Sequence, residues 1–376
     1  GAANSDSDVP ALSADGRYVA YYSFASNLVL DDTNETQDVF VFDRLLKSTE
    51  RISLTSDGQQ IDQDAFTKRP AISADGRYVI FYSNAQALSQ DAAEDTFNVY
   101  LRDRTDGVTT LLTRGFDSSP ANGDSTYATL SEDGKWAAYY SAASNLVEGD
   151  TNGQVDVFLC DIQNQKTWRI SVASGGADAN GVSGSPVFTG RYVAYTSDAT
   201  NLVAGDSNSA VDVFMRDTCI GAESACTPST ERISLGSDGA EANGASSEPL
   251  VGLPMSSWSG YDYHGRFVVF ASSATNLVAG DTNGVADVFM RDTCRGRPGC
   301  VPSTQRVSLT STGQQIVGQP SGQPGHMRWD GEVVMFVTAA DGVVPDDTNG
   351  VEDVFMRGVC HDTTSCVRTT TRLSVG

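Results

Sequence analysis

Residues 201–217 read Asn-Leu-Val-Ala-Gly-Asp-Ser-Asn-Ser-Ala-Val-Asp-Val-Phe-Met-Arg-Asp, and residues 276–292 repeat this stretch almost unchanged as Asn-Leu-Val-Ala-Gly-Asp-Thr-Asn-Gly-Val-Ala-Asp-Val-Phe-Met-Arg-Asp. Looser copies occupy residues 27–43, 86–103, 145–161 and 342–357. The copies begin between 56 residues (145 to 201) and 75 residues (201 to 276) apart. A segment that returns at such intervals indicates an array of one supersecondary unit.

Each unit is predicted to contain four β-strands, which the first unit illustrates. A short apolar stretch at 10–13 is followed by Asp15-Gly16, a tight-turn signal because glycine accepts a positive φ. Residues 17–23 and 38–43 are rich in aromatic and β-branched side chains, which favour strands. A fourth strand is predicted at 49–53 after another turn. We label the four strands of each unit A, B, C and D.

Six such units follow one another, and no helical periodicity competes with them. Four-stranded units repeated four to eight times are typical of β-propellers, which protect their sheet edges by radial repetition. The prediction is therefore an all-β, six-bladed β-propeller of four-stranded antiparallel blades, forming a single domain over 1–376. The predicted blades span approximately 9–54, 69–113, 126–173, 184–235, 248–309 and 324–376.

The repeat also resembles a known family. Ser-x-Asp-Gly-Arg-Tyr-Val-Ala-Tyr, then Asp-Val-Phe-x-x-Asp and Arg-Ile-Ser, is similar to the PD40 (WD40-like) repeats of TolB-type propellers. The resemblance covers essentially the whole chain. It implies a six-bladed propeller, commonly secreted or periplasmic, that acts mainly as a binding platform. The proline of the family's Ser-Pro-Asp-Gly turn is replaced by Ala14, Ala74 and Glu132, which leaves the subfamily open.

The overall charge of the chain limits the kinds of partner that it can bind. The chain carries a formal net charge of −23 and a pI of about 4.3. Such acidity, without any Lys/Arg-rich tract, argues against a nucleic-acid partner, because phosphates would be repelled. No apolar run has the length of a membrane span.

Six of the seven cysteines form close pairs, each after a strand that ends Val-Phe-Met-Arg. The pairs are Cys219 with Cys226, Cys294 with Cys300, and Cys360 with Cys366. They are predicted to form disulfides across C–D hairpins, which places the protein in an oxidising compartment, periplasmic or extracellular. Zinc is the competing interpretation, but the pairs lack the Cys-x2-Cys spacing and paired histidines of common zinc sites. Cys160 is left over and is expected to be a buried, inert thiol.

The B–C loops repeat acidic and amide side chains at relative positions 1, 3 and 7. Calcium takes six to eight oxygen ligands, so these loops are candidate calcium sites. The alternative is turn chemistry, because Asp and Asn also bond nearby backbone N–H groups. The candidate ligands are Asp32, Asn34, Asp38, Asp150, Asn152, Asp156, Asp206, Asn208, Asp212, Asp281, Asn283, Asp287, Asp347, Asn349 and Asp353.

Catalytic signals are weak. The chain has three histidines, none in a metal-type spacing, and no Gly-x-Ser-x-Gly elbow. No carboxylate pair stands apart from the repeat as a glycosidase would require. No catalytic residue is therefore predicted.

The repeat fails most clearly in blade five, where the A–B connection contains an aromatic insert. Trp258, Tyr261 and Tyr263 lie in this insert, and Trp329 lies in the corresponding turn of blade six. These are interface-type side chains, so they are predicted to bind a partner; alternatively, they pack onto the insert itself.

The predicted function is an exported, non-catalytic binding or scaffold module for another protein, in the cell envelope or an extracellular assembly. The alternatives are a calcium-dependent propeller hydrolase or lactonase, and a carbohydrate-binding lectin that uses the aromatic insert.

Overall fold

The computed structural model describes residues 2–62, 65–222, 224–252, 265–328, 330–361 and 367–375. They belong to two compact units, Gly1–Ile170 and Ser171–Gly376. Each unit contains three four-stranded antiparallel sheets in which strands pair in chain order. Six such blades make the protein an all-β, six-bladed β-propeller, as the repeat predicts.

The first unit contains blades one to three. Their strands are β1 (Ser7–Leu12), β2 (Tyr18–Ser23), β3 (Asp38–Asp43), β4 (Ser48–Arg51), β5 (Thr67–Ile72), β6 (Tyr78–Ser83), β7 (Asn98–Asp103), β8 (Val108–Leu111), β9 (Ser125–Leu130), β10 (Trp136–Ser141), β11 (Asp156–Asp161) and β12 (Lys166–Arg169).

The second unit contains blades four to six. Their strands are β13 (Ser183–Thr189), β14 (Tyr192–Ser197), β15 (Asp212–Asp217), β16 (Ser229–Arg232), β17 (Ser246–Val251), β18 (Phe267–Ser272), β19 (Asp287–Asp292), β20 (Ser303–Arg306), β21 (Ser321–Met327), β22 (Val333–Thr338), β23 (Asp353–Gly358) and β24 (Thr370–Arg372). Among the described residues, no helix is long and apolar enough to cross a membrane.

Side-chain hydrogen bonds explain the tight turn between the A and B strands. In blade one, Asp15 accepts hydrogen bonds from the Ser13 hydroxyl (2.6 Å) and from the Arg17 N–H (2.9 Å), and Gly16 adopts a φ of 65°. The turn aligns β1 with β2. On β2, Tyr21 then lies opposite Phe40, with ring centroids 5.9 Å apart. Every blade has such a buried or half-buried cross-strand aromatic pair, which fixes the B–C register.

The A strand differs from its predicted form. It begins at Ser7 rather than near residue 10, and its pairing with β2 is interrupted by a bulge between Asp8 and Ala11. Val9, inside the bulge, has a φ of 51°. The same bulge recurs in the first strand of the other blades. A bulge inserts an extra residue that is left unpaired, and the short apolar stretch at 10–13 gave no sign of it.

Within each unit, neighbouring blades contact each other where a glycine of one blade packs against an aromatic ring of the preceding blade. A Cβ placed on Gly76 of blade two would lie 2.2 Å from Cδ2 of Tyr18 in blade one. The guanidinium of Arg104 covers the same ring at 4.4 Å from its centroid. In the second unit, Gly265 packs on Tyr192 in the same way, and Gly331 on Phe267. The Asp-Gly turn therefore serves the contact between blades as well as the hairpin.

Candidate functional site

The predicted ligands of each B–C loop do come together, but around an arginine of the D strand. Asp32 Oδ1 lies 3.0 Å from Nη2 of Arg51, and Asp38 Oδ2 lies 3.6 Å from its Nε. Asn34 donates from Nδ2 to Asp38 Oδ2 at 3.1 Å. The three charged side chains are at most 6% exposed. The guanidinium is thus the cation that these carboxylates contact.

Five blades repeat this arrangement, with 2.6–3.4 Å from the arginine to the first aspartate and 3.4–3.6 Å to the second. We call these clusters the Asp–Asn–Asp–Arg networks. Their members are Asp32, Asn34, Asp38 and Arg51; Asp150, Asn152, Asp156 and Arg169; Asp206, Asn208, Asp212 and Arg232; Asp281, Asn283, Asp287 and Arg306; and Asp347, Asn349, Asp353 and Arg372.

The loops also show the predicted turn chemistry. Asn208 Oδ1 accepts a hydrogen bond from the N–H of Ala210 at 3.0 Å, which closes an Asx turn. Its Nδ2 bonds the Ala242 carbonyl of the following linker at 2.8 Å. Asp212 Oδ1 in turn accepts from the Ser234 hydroxyl at 2.5 Å. The network therefore ties the B–C loop, the D strand and the next linker together. Calcium binding at these loops stays one of the two interpretations of the sequence, and a melting scan with calcium and with EDTA tests it.

Burial disfavours the ionised form of the carboxylates in these networks. It raises the pKa of Asp38, while the Ser53 hydroxyl, Arg51 and Asn34 act in the opposite direction. The pKa of Asp32 is likewise raised by burial and lowered by Arg51. Because the carboxylates are nearly inaccessible to water, the arginine is the group that makes their ionisation tolerable.

Blade two shows what happens when the arginine is absent. Counting 60 positions on from blade one, Ala92, Glu94, Asn98 and Leu111 replace Asp32, Asn34, Asp38 and Arg51. Leu111 occupies the strand position opposite Tyr100 that Arg51 has opposite Phe40. Asn98 Oδ1 still accepts a hydrogen bond, now from the Thr113 hydroxyl at 2.8 Å. Both buried aspartates and the buried arginine are thus lost together. This joint loss was the signal in the sequence that could have identified the arginine as their partner.

Two of the three predicted disulfides are confirmed. Cys219 is bonded to Cys226 and Cys294 to Cys300, with Cα atoms 5.7 and 5.5 Å apart. Sulfurs bonded to one another are not the thiolates that zinc binds, so the zinc interpretation is excluded for both pairs. Of the third pair, Cys360 is described and Cys366 lies outside the described residues.

The cysteines as a whole fit an oxidising compartment. Cys160 is free and 1% exposed, and burial raises the pKa of its thiol to about 12. A thiol of this kind is almost fully protonated at neutral pH and unreactive.

The predicted partner-binding residues cannot be placed. Trp258, Tyr261, Tyr263 and Trp329 all lie outside the described residues. Of the histidines, His361 has a hydrogen-bond partner for each of its ring nitrogens. Its Nε2 is 2.9 Å from the Gly331 carbonyl, and its Nδ1 is 3.1 Å from Nε2 of Gln305. Its ring also stacks on Phe267. These contacts give His361 a structural position.

A second cluster, which the repeat pattern did not indicate, lies on the A and B strands of blades two and three. The guanidinium of Arg69 lies 4.0 Å from the ring centroid of Tyr127. Tyr127 stacks on Tyr140 at 5.1 Å and on Tyr82 at 6.1 Å between centroids. Arg69 is exposed, Tyr127 and Tyr140 are half-buried, and Tyr82 is buried. We call these four residues the Arg69–tyrosine surface.

These blades define the class of the protein: a six-bladed β-propeller of four-stranded antiparallel blades. No protein-family model matches the sequence, and no curated protein matches it.

Solved structures do match in fold. An oligogalacturonate lyase in complex with manganese is 9% identical, with 93% of this chain and 73% of that chain covered and a TM-score of 0.51. A protein assigned to TolB from Agrobacterium tumefaciens is 17% identical, with 80% of each chain covered and a TM-score of 0.43. TolB from Acinetobacter baumannii is 14% identical, with 86% of this chain and 57% of that chain covered and a TM-score of 0.39. At 9% identity, the likeness to the lyase concerns the fold and no activity.

Proposed function

We propose that the protein is an exported, non-catalytic binding or scaffold module for a protein partner, working in the periplasm or an extracellular assembly. The observation that carries this proposal is that the repeated polar residues bond to one another inside the blades. In the Asp–Asn–Asp–Arg networks, carboxylates, amides and guanidinium groups bond to one another and are buried. They stabilise the blades instead of facing a substrate.

Two further observations support the proposal. The disulfides Cys219–Cys226 and Cys294–Cys300 are of a kind that persists in oxidising compartments and is rare in the cytosol. The sequence insert of blade five contains Trp258, Tyr261 and Tyr263, and Trp and Tyr are among the residue types that dominate binding hot spots.

The test is a capture experiment with two matched variants. The purified protein, immobilised, is exposed to envelope extract under native conditions, and any captured protein is purified and tested for direct binding. We expect the double variant Trp258→Ala and Tyr261→Ala to lose the captured protein. The control variant Leu45→Ala and Leu46→Ala removes two exposed apolar side chains of the blade-one C–D turn and should retain it.

Two results would overturn the proposal. One is equal capture by both variants when both are folded. The other is steady turnover of a lactone, ester or peptide by the purified protein, which would identify the chain as an enzyme of the propeller hydrolase kind.

A further inference from the structure

The Arg69–tyrosine surface is a departure from the repeat that the fold does not require. Tyr82 and Tyr140 occupy the strand position opposite Val99 and Val157, next to the end of the B strand. The equivalent position holds Tyr22 in blade one, opposite Val39. In blades four to six it holds Thr196, Ala271 and Val337, also opposite valines. A blade therefore forms without a tyrosine here, and the stacked rings of blades two and three need another explanation.

Among the described residues, Arg69 differs from most other arginines in having no carboxylate partner. Arg51 and Arg232 illustrate the arginines that have one. In the part of the chain that the structure describes, no carboxylate lies within ion-pair distance of Arg69, whose contact is with the Tyr127 ring. On β1 of blade one, Asp8 accepts a hydrogen bond from the hydroxyl of Tyr22 at 3.3 Å. An exposed guanidinium without an ion-pair partner among the described residues is a ready site for an anion.

The backbone around Arg69 narrows the class of ligand. Arg69 sits in the bulge of β5 with a φ of 47°, and Pro70 follows it without an N–H. Bulges and prolines prevent an extended peptide from adding to a strand edge. Recognition at this surface must therefore use side chains: one cation, the exposed parts of the tyrosine rings and their hydroxyl groups. Burial raises the pKa of Tyr82 to about 12, so this phenol keeps its proton at neutral pH.

We propose that the Arg69–tyrosine surface binds a sugar that carries a carboxylate, of the uronic acid class. The carboxylate would pair with the guanidinium of Arg69, which can donate two parallel hydrogen bonds. The apolar C–H face of the pyranose would cover the exposed part of the Tyr140 ring, and its hydroxyls would meet the phenolic groups. Distant acidic residues do not prevent this pairing, because salt screens charges more than about 8 Å away at physiological ionic strength.

This proposal is independent of the protein partner proposed above, since it concerns other residues and another kind of ligand. The test uses isothermal titration of the whole protein with two probes. One is the β-linked tetramer of glucuronic acid, and the other is the matching tetramer of glucose, which lacks the carboxylates. We expect the wild-type protein to bind the acidic tetramer at least about tenfold more tightly than the neutral one, with an affinity that falls as salt is raised.

Three variants locate the site. Arg69→Gln should lower affinity for the acidic tetramer to that for the neutral one. Tyr140→Thr, which introduces the residue that blade four has at this position, should weaken binding of both. Arg77→Gln is the matched control, because Arg77 also covers a tyrosine ring, that of Tyr78 at 5.0 Å, outside this surface. It should bind within about twofold of wild type, since no proposed contact is removed.

Urea midpoints of all variants show whether each one folds. The proposal is overturned if the wild-type protein binds neither tetramer or binds both equally. It is also overturned if folded Arg69→Gln binds the acidic tetramer as the wild-type protein does.

Discussion

The Asp–Asn–Asp–Arg networks allow a stability experiment in which the chain supplies its own control. Replacing Arg51 by Leu leaves Asp32 and Asp38 buried and without a cation. Arg51 lies 3.0 Å from Asp32 and 3.6 Å from Asp38. At an effective dielectric constant of about 20, each of these two ion pairs has a Coulomb attraction of about 5 kcal/mol. Part of this is offset by the cost of burying the charges, and breaking one side of a buried ion pair typically costs about 3–5 kcal/mol. We expect Arg51→Leu to lower the free energy of unfolding by that amount.

The matched variant copies blade two into blade one. Asp32→Ala, Asp38→Asn and Arg51→Leu together reproduce Ala92, Asn98 and Leu111, with no buried charge left behind. Replacing a complete buried ion network by neutral side chains is often close to neutral, so we expect the triple variant to lose less than about 1 kcal/mol. Urea unfolding followed by tryptophan fluorescence measures both values, provided that the m-value is unchanged.

The pH dependence adds a second readout. Without Arg51, the folded-state pKa values of Asp32 and Asp38, already raised by burial, rise further above those of the unfolded chain. Groups with raised pKa values favour the folded state at low pH and disfavour it as pH rises through the folded pKa. The single variant should therefore recover part of its loss between pH 7 and about pH 5, and the triple variant should not. If the single variant costs less than about 1 kcal/mol, or the triple costs as much as the single, the networks do not stabilise the blades as argued.

Further predictions concern the interblade glycines, acid stability, calcium and the disulfides. Gly76→Ala should cost about 1–3 kcal/mol more in urea unfolding than Gly58→Ala, because both have positive φ but only a Cβ on Gly76 meets a ring, that of Tyr18; equal costs would show that the ring moves freely. Hydrogen bonds from Arg17, whose Nη2 lies 2.7 Å from Asp43, and from backbone N–H groups lower the pKa of Asp43 to about 2. Its stabilising effect is thus present above the unfolded pKa and is lost as pH falls from about 4 to 2, so melting scans of wild type and Asp43→Asn should converge over that interval; a gap that stays constant would contradict this. Calcium should not raise, and EDTA should not lower, the Tm, because arginines already contact the loop carboxylates; a Tm that rises with calcium would show that the loops bind the ion. Cys219→Ser with Cys226→Ser should lower stability by at most about 2–3 kcal/mol, because the closed loop is short; a larger loss in urea unfolding would indicate a wider role for this hairpin.

Much of the fold could be predicted because local chemistry repeats. The Asp-Gly turns and the strand Asp38–Asp43 follow from turn residues and aromatic or β-branched runs, and the structure confirms them. The pairs Cys219–Cys226 and Cys294–Cys300 were predicted because both cysteines flank one hairpin. In each case the deciding interaction joins residues close in the chain.

The candidate sites were less predictable because their partners lie far apart in the chain. Asp38 and Asn34 were expected to meet one another, and they do. Arg51 was not assigned to them, although the D strand brings it to the same loop. Arg69 and Tyr127 are 58 positions apart and belong to different blades. No spacing rule joins them, since the contact depends on how one blade packs on the next.

The sequence by itself determined the number of blades, the strands within each and the hairpin disulfides, because these rest on periodicity and on turns that close over a few residues. Only the tertiary structure decided what the repeated acidic phrase does. The packing of loop, D strand and linker buries its carboxylates against an arginine, and burial makes that pairing necessary. The packing of β5 beside β9 likewise placed Arg69 over the Tyr127 ring, and no carboxylate of the described residues pairs with its charge.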